Sequence, residues 1–264
     1  MATLPAPATI ADHYRQVMKD TGGDYIHHRW GASEIQRRHY RQTATALGDA
    51  LDRLGEPGDV LEIGCGPAVW TPLFLARARS VLLYDISDAM LARARERIAE
   101  TDGGRHAGKV GYRAGDFVAD PPAGESWDTI ISVRAFEYMS SKADFVRHCA
   151  ARLRPGGTLI VVTKNRGWLD MRGIPRATGV PVGVAMHADL RGWREVSGLF
   201  RDAGLADVSA RPVVFGSYRR PFAWRPGLAA ADALHRWRHR RPMARALDPL
   251  VESYLVAGRK PVDV

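Results

Sequence analysis

The stretch VLEIGCGPAVWT, Val60 to Thr71, is an apolar run that ends in a glycine-rich turn. A strand that feeds such a turn is the form in which α/β proteins bring backbone, rather than side chains, up to a nucleotide. The dinucleotide fingerprint G-x-G-x-x-G/A asks for a small third residue so that the helix packs closely on the strand, and here that position is Val69. The pattern E/D-x-G-x-G-x-G fits better, through Glu62, Gly64 and Gly66, with Ala68 in the place of the last glycine. In that pattern the turn meets an amino-acid tail and a ribose instead of a pyrophosphate.

Outward from this turn, short β-branched runs alternate with amphipathic stretches, as in a parallel sheet flanked by helices. Strands are expected at 59–63, 80–84, 109–113, 127–133 and 157–163. Ser87 opens a helix whose Met90, Leu91 and Ile98 share a face, and a helix beginning near Lys142 is expected to stop at Pro155, Gly156 and Gly157. GLADVSARPVVF and VESYLVAGRK read as two late strands that pair as an antiparallel edge, with one helix between them. Before the first strand, residues 9–20 and 33–54 read as helices, broken by GGDYIHHRWG. One domain is expected, with an N-terminal helical cap over 1–57, a cofactor-binding core over 58–163, and a substrate lid, C-terminal strands and basic helix over 164–264.

Four motifs in register resemble the class I S-adenosylmethionine-dependent methyltransferases, in particular their small-molecule branch, from about residue 58 to the C-terminus. VLEIGCGPAVWT looks like the first motif; LLYDISDAML carries Asp85 at the end of the second strand; YRAGDF resembles the adenine-binding turn; LRPGGTLIVVT is similar to the passage into the fifth strand. The resemblance implies a Rossmann-like, seven-stranded, mostly parallel sheet with an antiparallel C-terminal edge, and S-adenosyl-L-methionine as cofactor. It places Asp85 on both ribose hydroxyls, Asp116 on the exocyclic amine and Phe117 against the adenine ring. Glu62, Gly64, Cys65, Gly66, Ile86, Met90, Val133 and Arg29 complete the implied cofactor set, with Cys65 contributing backbone only. Two departures stand out: Ala68, and RAFEYM where many relatives carry a histidine after the fourth strand.

Methyl transfer chiefly requires that the acceptor be positioned and water excluded, with a general base added where the acceptor carries a proton. Glu137, four residues past the expected end of the fourth strand, is the leading base, with Tyr138 beside it. His28 in DYIHHRWG is the second candidate, in a cap that closes over the cofactor. Lys164 and His187 flank a long loop after the fifth strand and are weighed as partners of an acidic acceptor, against a solvated lysine and a helix-start histidine.

The 264 residues carry 45% hydrophobic content, a net charge of +9 and two cysteines, Cys65 and Cys149, too few for a disulfide framework and without zinc-site spacing. No metal is expected. No stretch reaches the ~18 apolar residues of a spanning helix, and a cytoplasmic location is expected. Residues 218–245 hold eight arginines interleaved with Phe222, Trp224 and Trp237. They read either as a solvated helix packed through Ala230, Leu234 and Trp237, or as a surface for a lipid-like or acidic substrate, a peripheral membrane or RNA. Nucleic acid is disfavoured by the lack of an Asn-Pro-Pro-Tyr motif and of any appended RNA-binding module. A small-molecule methyltransferase is therefore set against an RNA methyltransferase and against a non-catalytic cofactor-binding partner.

Overall fold

The computed structural model describes residues 7–169, 189–218 and 224–262. The opening run is β1 (Asp59–Ile63), which sends Val60 to one face of the sheet and Leu61 and Ile63 to the other. In β5 (Leu153–Lys164), Leu159 and Val161 join one core while Ile160 and Val162 join the opposite one. Strands covered on both faces need an apolar residue at nearly every position, which is why these runs show no polar alternation.

With β2 (Ser80–Asp85), β3 (Val110–Ala114) and β4 (Trp127–Val133), strands β1 to β5 are parallel. β6 (Ala206–Phe215) and β7 (Val251–Arg259) close the edge antiparallel, giving the order β3-β2-β1-β4-β5-β7-β6. This is the Rossmann-like sheet that the sequence implies. The order reverses between β1 and β4, and at such a switch point the crevice beyond the strand ends is open to a ligand.

Helices α1 (Pro7–Asp20) and α2 (Glu34–Leu54) precede the sheet, and α1 lies against α4 (Asp88–Glu100). The Ser87 hydroxyl accepts from the Met90 amide at the start of α4, as expected of an N-cap. A short helix, α3 (Pro72–Leu75), follows the glycine turn, and α5 (Lys142–Arg152), α6 (Trp193–Asp202) and α7 (Arg225–Arg238) complete the set among the described residues.

Three expectations are corrected in detail. α5 ends at Arg152, before Pro155, because Leu153 is already extended and pairs with Trp127; a proline also biases the residue before it away from helix. HHRWG is a π-helical turn rather than a plain break, held by Trp30, which is 6% exposed and meets Trp70 edge-on at 5.2 Å. α7 packs through Leu228, Ala231 and His235, so Ala230 and Trp237 face outward. Among the described residues no helix is long and apolar enough to cross a membrane.

Candidate functional site

The ends of β1, β2 and β4 open into one cleft of about 900 Å³, its mouth included. The β1 turn is tied to β2, since the Gly64 amide donates to the Tyr84 carbonyl at 2.7 Å and the Gly66 amide to Asp85 Oδ2 at 2.8 Å. Both glycines have left-handed backbone, with φ of 68° and 54°. A Cβ on Gly64 would stand 2.1 Å from the Cβ of Ala135, whereas one on Gly66 would meet only open space in the cleft. Gly64 is thus needed for closure of the fold and Gly66 for ligand access. Gly64→Ala is accordingly expected to lower the melting temperature and abolish nucleotide binding, adding a clash to a left-handed strain of ~1–3 kcal/mol. Thermal melting with and without ligand checks this. Ala68, in the place of the third glycine, also adopts a left-handed φ of 56° and is fully buried.

Asp85 is 7% exposed and accepts from the Gly66 and Ser87 amides, one on each oxygen. Burial raises its pKa to about 6. The Ile86 amide also lies within reach of this carboxylate, and of its roughly four lone-pair positions some acceptor capacity remains for a ligand hydroxyl. Ile86, Met90, Val133 and the pair Asp116 and Phe117 line the same cleft. Phe117 is wedged edge-on against Tyr84 at 5.6 Å, and Asp116 Oδ1 accepts from the Val118 amide at 2.9 Å, which fixes both at the β3 end. Cys65 lines the turn as a buried thiol whose pKa burial raises well above its ordinary value.

Glu62 lies beneath the turn, not in the cleft: it is 1% exposed and takes the Thr71 hydroxyl at 2.6 Å. Burial pushes its pKa up to about 8, so at neutral pH it is a protonated strut under the loop. Turn geometry, open space at Gly66 and the remaining acceptor capacity of Asp85 together fit a ribonucleoside with an amino-acid tail. These residues are able to hold S-adenosylmethionine.

The acceptor side is only partly as expected. Tyr138 lines the cleft, and burial raises its pKa to about 12. Glu137 does not line it: the carboxylate is 1% exposed, accepts from the Thr163 hydroxyl at 2.9 Å and lies 3.5 Å from Arg134 Nε. His28 is exposed outside the cleft, and Arg29 stacks on the Trp30 ring at 4.3 Å. His187, Arg219, Arg220 and Phe222 lie outside the described residues.

Other residues occupy the wall that sequence reasoning assigned to Glu137 and His28. Tyr14 from α1 and Tyr25 line the cleft with Tyr138, the Tyr14 ring meeting Tyr25 at 6.4 Å and Tyr138 at 6.0 Å. Burial raises the pKa of each, so all three remain neutral phenols. Arg134 lines the cleft on a left-handed φ of 64° and grips Glu252 of β7 through two bonds of 2.6 and 2.8 Å. Burial opposes charge on both, yet their pairing outweighs it, holding Glu252 below and Arg134 above their ordinary pKa values. Beside them Lys164 is 8% exposed with its pKa lowered to about 7, first by burial and then by Arg134, and burial takes His39 on α2 to about 4. A solvated Lys164 is therefore excluded.

Two sequence signals pointed to this cluster. Ile10 and Tyr14 stand four apart on α1, and lone charges at Arg134 and Glu252 flank otherwise apolar strands, where an unpaired charge is costly. Among the described residues no group of three or more His, Cys, Asp or Glu side chains is arranged to hold a metal.

Residues 60–157 match the family described as a methyltransferase domain. A probable S-adenosylmethionine-dependent methyltransferase of Mycobacterium tuberculosis is 29% identical over 177 residues, 66% of this chain and 58% of that protein. The trans-aconitate 2-methyltransferase of Streptomyces coelicolor is 30% identical over 173 residues, 62% of this chain and 52% of that protein. The chain thus spans little more than half the length of these curated relatives. Among solved structures, the [4+2]-cyclase SpnF superposes with a TM-score of 0.64 at 18% identity, covering 99% of this chain and 98% of that one. That likeness concerns the fold alone.

Proposed function

We propose that this chain, whose residues 60–157 are a methyltransferase domain of the class I fold, transfers a methyl group from S-adenosylmethionine to an oxygen, nitrogen or carbon atom of a small molecule. The observation that carries this reading is the meeting in one cleft of the β1 turn, Asp85, and the pair Asp116 and Phe117. The cofactor supplies an electrophilic methyl on a sulfonium. The chain's part is to bind and to exclude water: Asp85 would accept from ribose hydroxyls, Asp116 would accept from the exocyclic amine, and Phe117 would pack on the ring. Tyr14, Tyr25 and Tyr138 close the remaining wall with apolar rings, and their hydroxyls orient an acceptor.

An acidic acceptor suits the far wall best. Arg134 is the basic group that lines this wall; Lys164 and Arg29, which do not line the cleft, lie close enough behind it to add positive charge against the carboxylates Glu137 and Glu252. The curated name of one relative gives a polycarboxylate, trans-aconitate, as its acceptor. Glu137, bonded to Thr163 and beside Arg134, positions that arginine rather than taking the acceptor's proton. His28 and Arg29 act through the cap turn that seats Trp30.

Lys164 has two roles that pH separates. If its ammonium holds an acceptor carboxylate, KM for the acceptor rises as pH rises through about 7. If its amine removes a proton, kcat rises over the same interval. Folding depresses this pKa from 10.5 to about 7, so the unfolded chain binds the extra proton between those values and stability falls as pH drops across them. Lys164→Met should therefore melt higher than the parent at pH 7 while losing activity. Melting curves and initial rates at several pH values test this.

The function itself is tested by incubating the protein with methyl-labelled S-adenosylmethionine and separate pools of carboxylic acids, amines and phenols. Label is expected in the carboxylic acid pool. Absence of transfer to every pool would contradict the reading, and transfer confined to amines would remove the acidic acceptor while leaving methyl transfer in place.

A further inference from the structure

The outward face of α7 is unlike the rest of the described surface. Pro226, Ala229, Ala230, Ala233 and Trp237 are all exposed and recur at helical spacing, so they form one apolar stripe about three turns long. Trp237 is 57% exposed, and Trp224 at the helix start is 67% exposed; with Val262 these are the large hydrophobic residues left in solvent among the described residues. The stripe ends in a cluster of cations. The guanidinium carbons of Arg238 and Arg241 each stand 5.1 Å from the Trp237 ring centre, and Arg236 is exposed beside them.

The acidic groups of this region turn inward. Asp232 is taken by Arg38 and by Gln42 Nε2 at 2.9 Å, and Asp49 is held by His239 at 2.7 Å and by Arg240 at 2.8 and 3.0 Å. Arg236 and Arg241 have no carboxylate partner among the described residues. The opposite side of the helix is firmly seated, with Leu228, Ala231 and His235 buried and His235 Nδ1 2.9 Å from the Val213 carbonyl. The result is a rigid helix whose free face is apolar, aromatic and cationic at once.

We propose that this face of α7 docks on an anionic lipid bilayer. An interfacial helix sinks its apolar side ~5–10 Å into the boundary between headgroups and acyl chains, with tryptophan at that depth and arginines reaching the phosphates. The stripe supplies the apolar side, Trp237 the amphipathic ring, and Arg236, Arg238 and Arg241 the phosphate ligands. A nucleic-acid backbone would meet about two turns of alanine and proline with no donor to offer it, so the charge complementarity belongs to a surface that also accepts apolar area. This assignment stands apart from the methyl-transfer reading, because no residue of the stripe lines the cleft.

Sedimentation of the full chain with phosphatidylcholine vesicles, and with vesicles containing phosphatidylglycerol, tests the proposal. Partitioning is expected only onto the anionic vesicles, and it should weaken as salt rises. Each arginine near such a surface contributes about 1 kcal/mol, or about five-fold. The combined change Trp237→Ala, Arg236→Gln, Arg241→Gln should therefore reduce partitioning more than about twenty-fold, with affinity for S-adenosylhomocysteine unchanged as proof of folding. Arg105→Gln with Arg201→Gln, which removes two exposed charges elsewhere, should leave most of the binding. The proposal is overturned if the parent chain ignores anionic vesicles at low salt, if the two variants lose binding equally, or if transfer RNA is bound while vesicles are not.

Discussion

Glu252→Ala is expected to destabilise the fold by about 3–5 kcal/mol, the usual cost of stranding one partner of a buried ion pair. The Arg134 side chain is 8% exposed, and once Glu252 is gone its nearest carboxylate is Glu137, 3.5 Å from Nε. For a chain of this size that loss corresponds to a fall in melting temperature of roughly 5–10 °C. Removing both partners together, as Arg134→Met with Glu252→Leu, should restore much of the stability, since the desolvation cost of the pair then disappears as well. Scanning calorimetry on the single and double variants measures the difference. If the pair serves only the fold, the double variant will also keep its activity; if Arg134 meets the acceptor, it will melt near the parent and turn over poorly.

Asp85→Ala should weaken S-adenosylhomocysteine binding by about 1.5–3 kcal/mol, the range for hydrogen bonds made to a charged group. That is a fall of roughly ten- to 150-fold. Because burial raises the Asp85 pKa from 3.8 to about 6, the parent's affinity should increase as pH rises through about 6 and the carboxylate forms. The alanine variant should show no such step. Unaltered affinity and an unaltered pH profile would remove Asp85 from the ribose role.

The cofactor half of the cleft was legible because it is local. A glycine turn, the strand-end Asp85 and the Asp116–Phe117 turn each declare themselves within a few residues, and each lines the cleft. Glu62 belongs to the same pattern yet serves from below, since strand alternation turns its side chain under the loop onto Thr71. The opposite wall was not legible, because it and the ion pair behind it are assembled from α1, the β4 end and β7, which are far apart in sequence. Glu137 and Tyr138 are neighbours in a 3₁₀ turn, so one faces the cleft while the other is committed to Thr163. Glu252 acts on Arg134 across 118 positions, and only strand pairing between β5 and β7 brings it there. The basic segment was read correctly in composition but wrongly in phase. His235 is buried because its ring reaches the Val213 carbonyl, and that rotation carries Trp237 into solvent.

The most direct test of the central claim is calorimetric titration of the parent chain with S-adenosylmethionine, S-adenosylhomocysteine and NAD in turn. Heat is expected from the first two with one site per chain, and none from NAD. Heat from NAD alone, or from none of the three, would contradict the assignment of this cleft to S-adenosylmethionine.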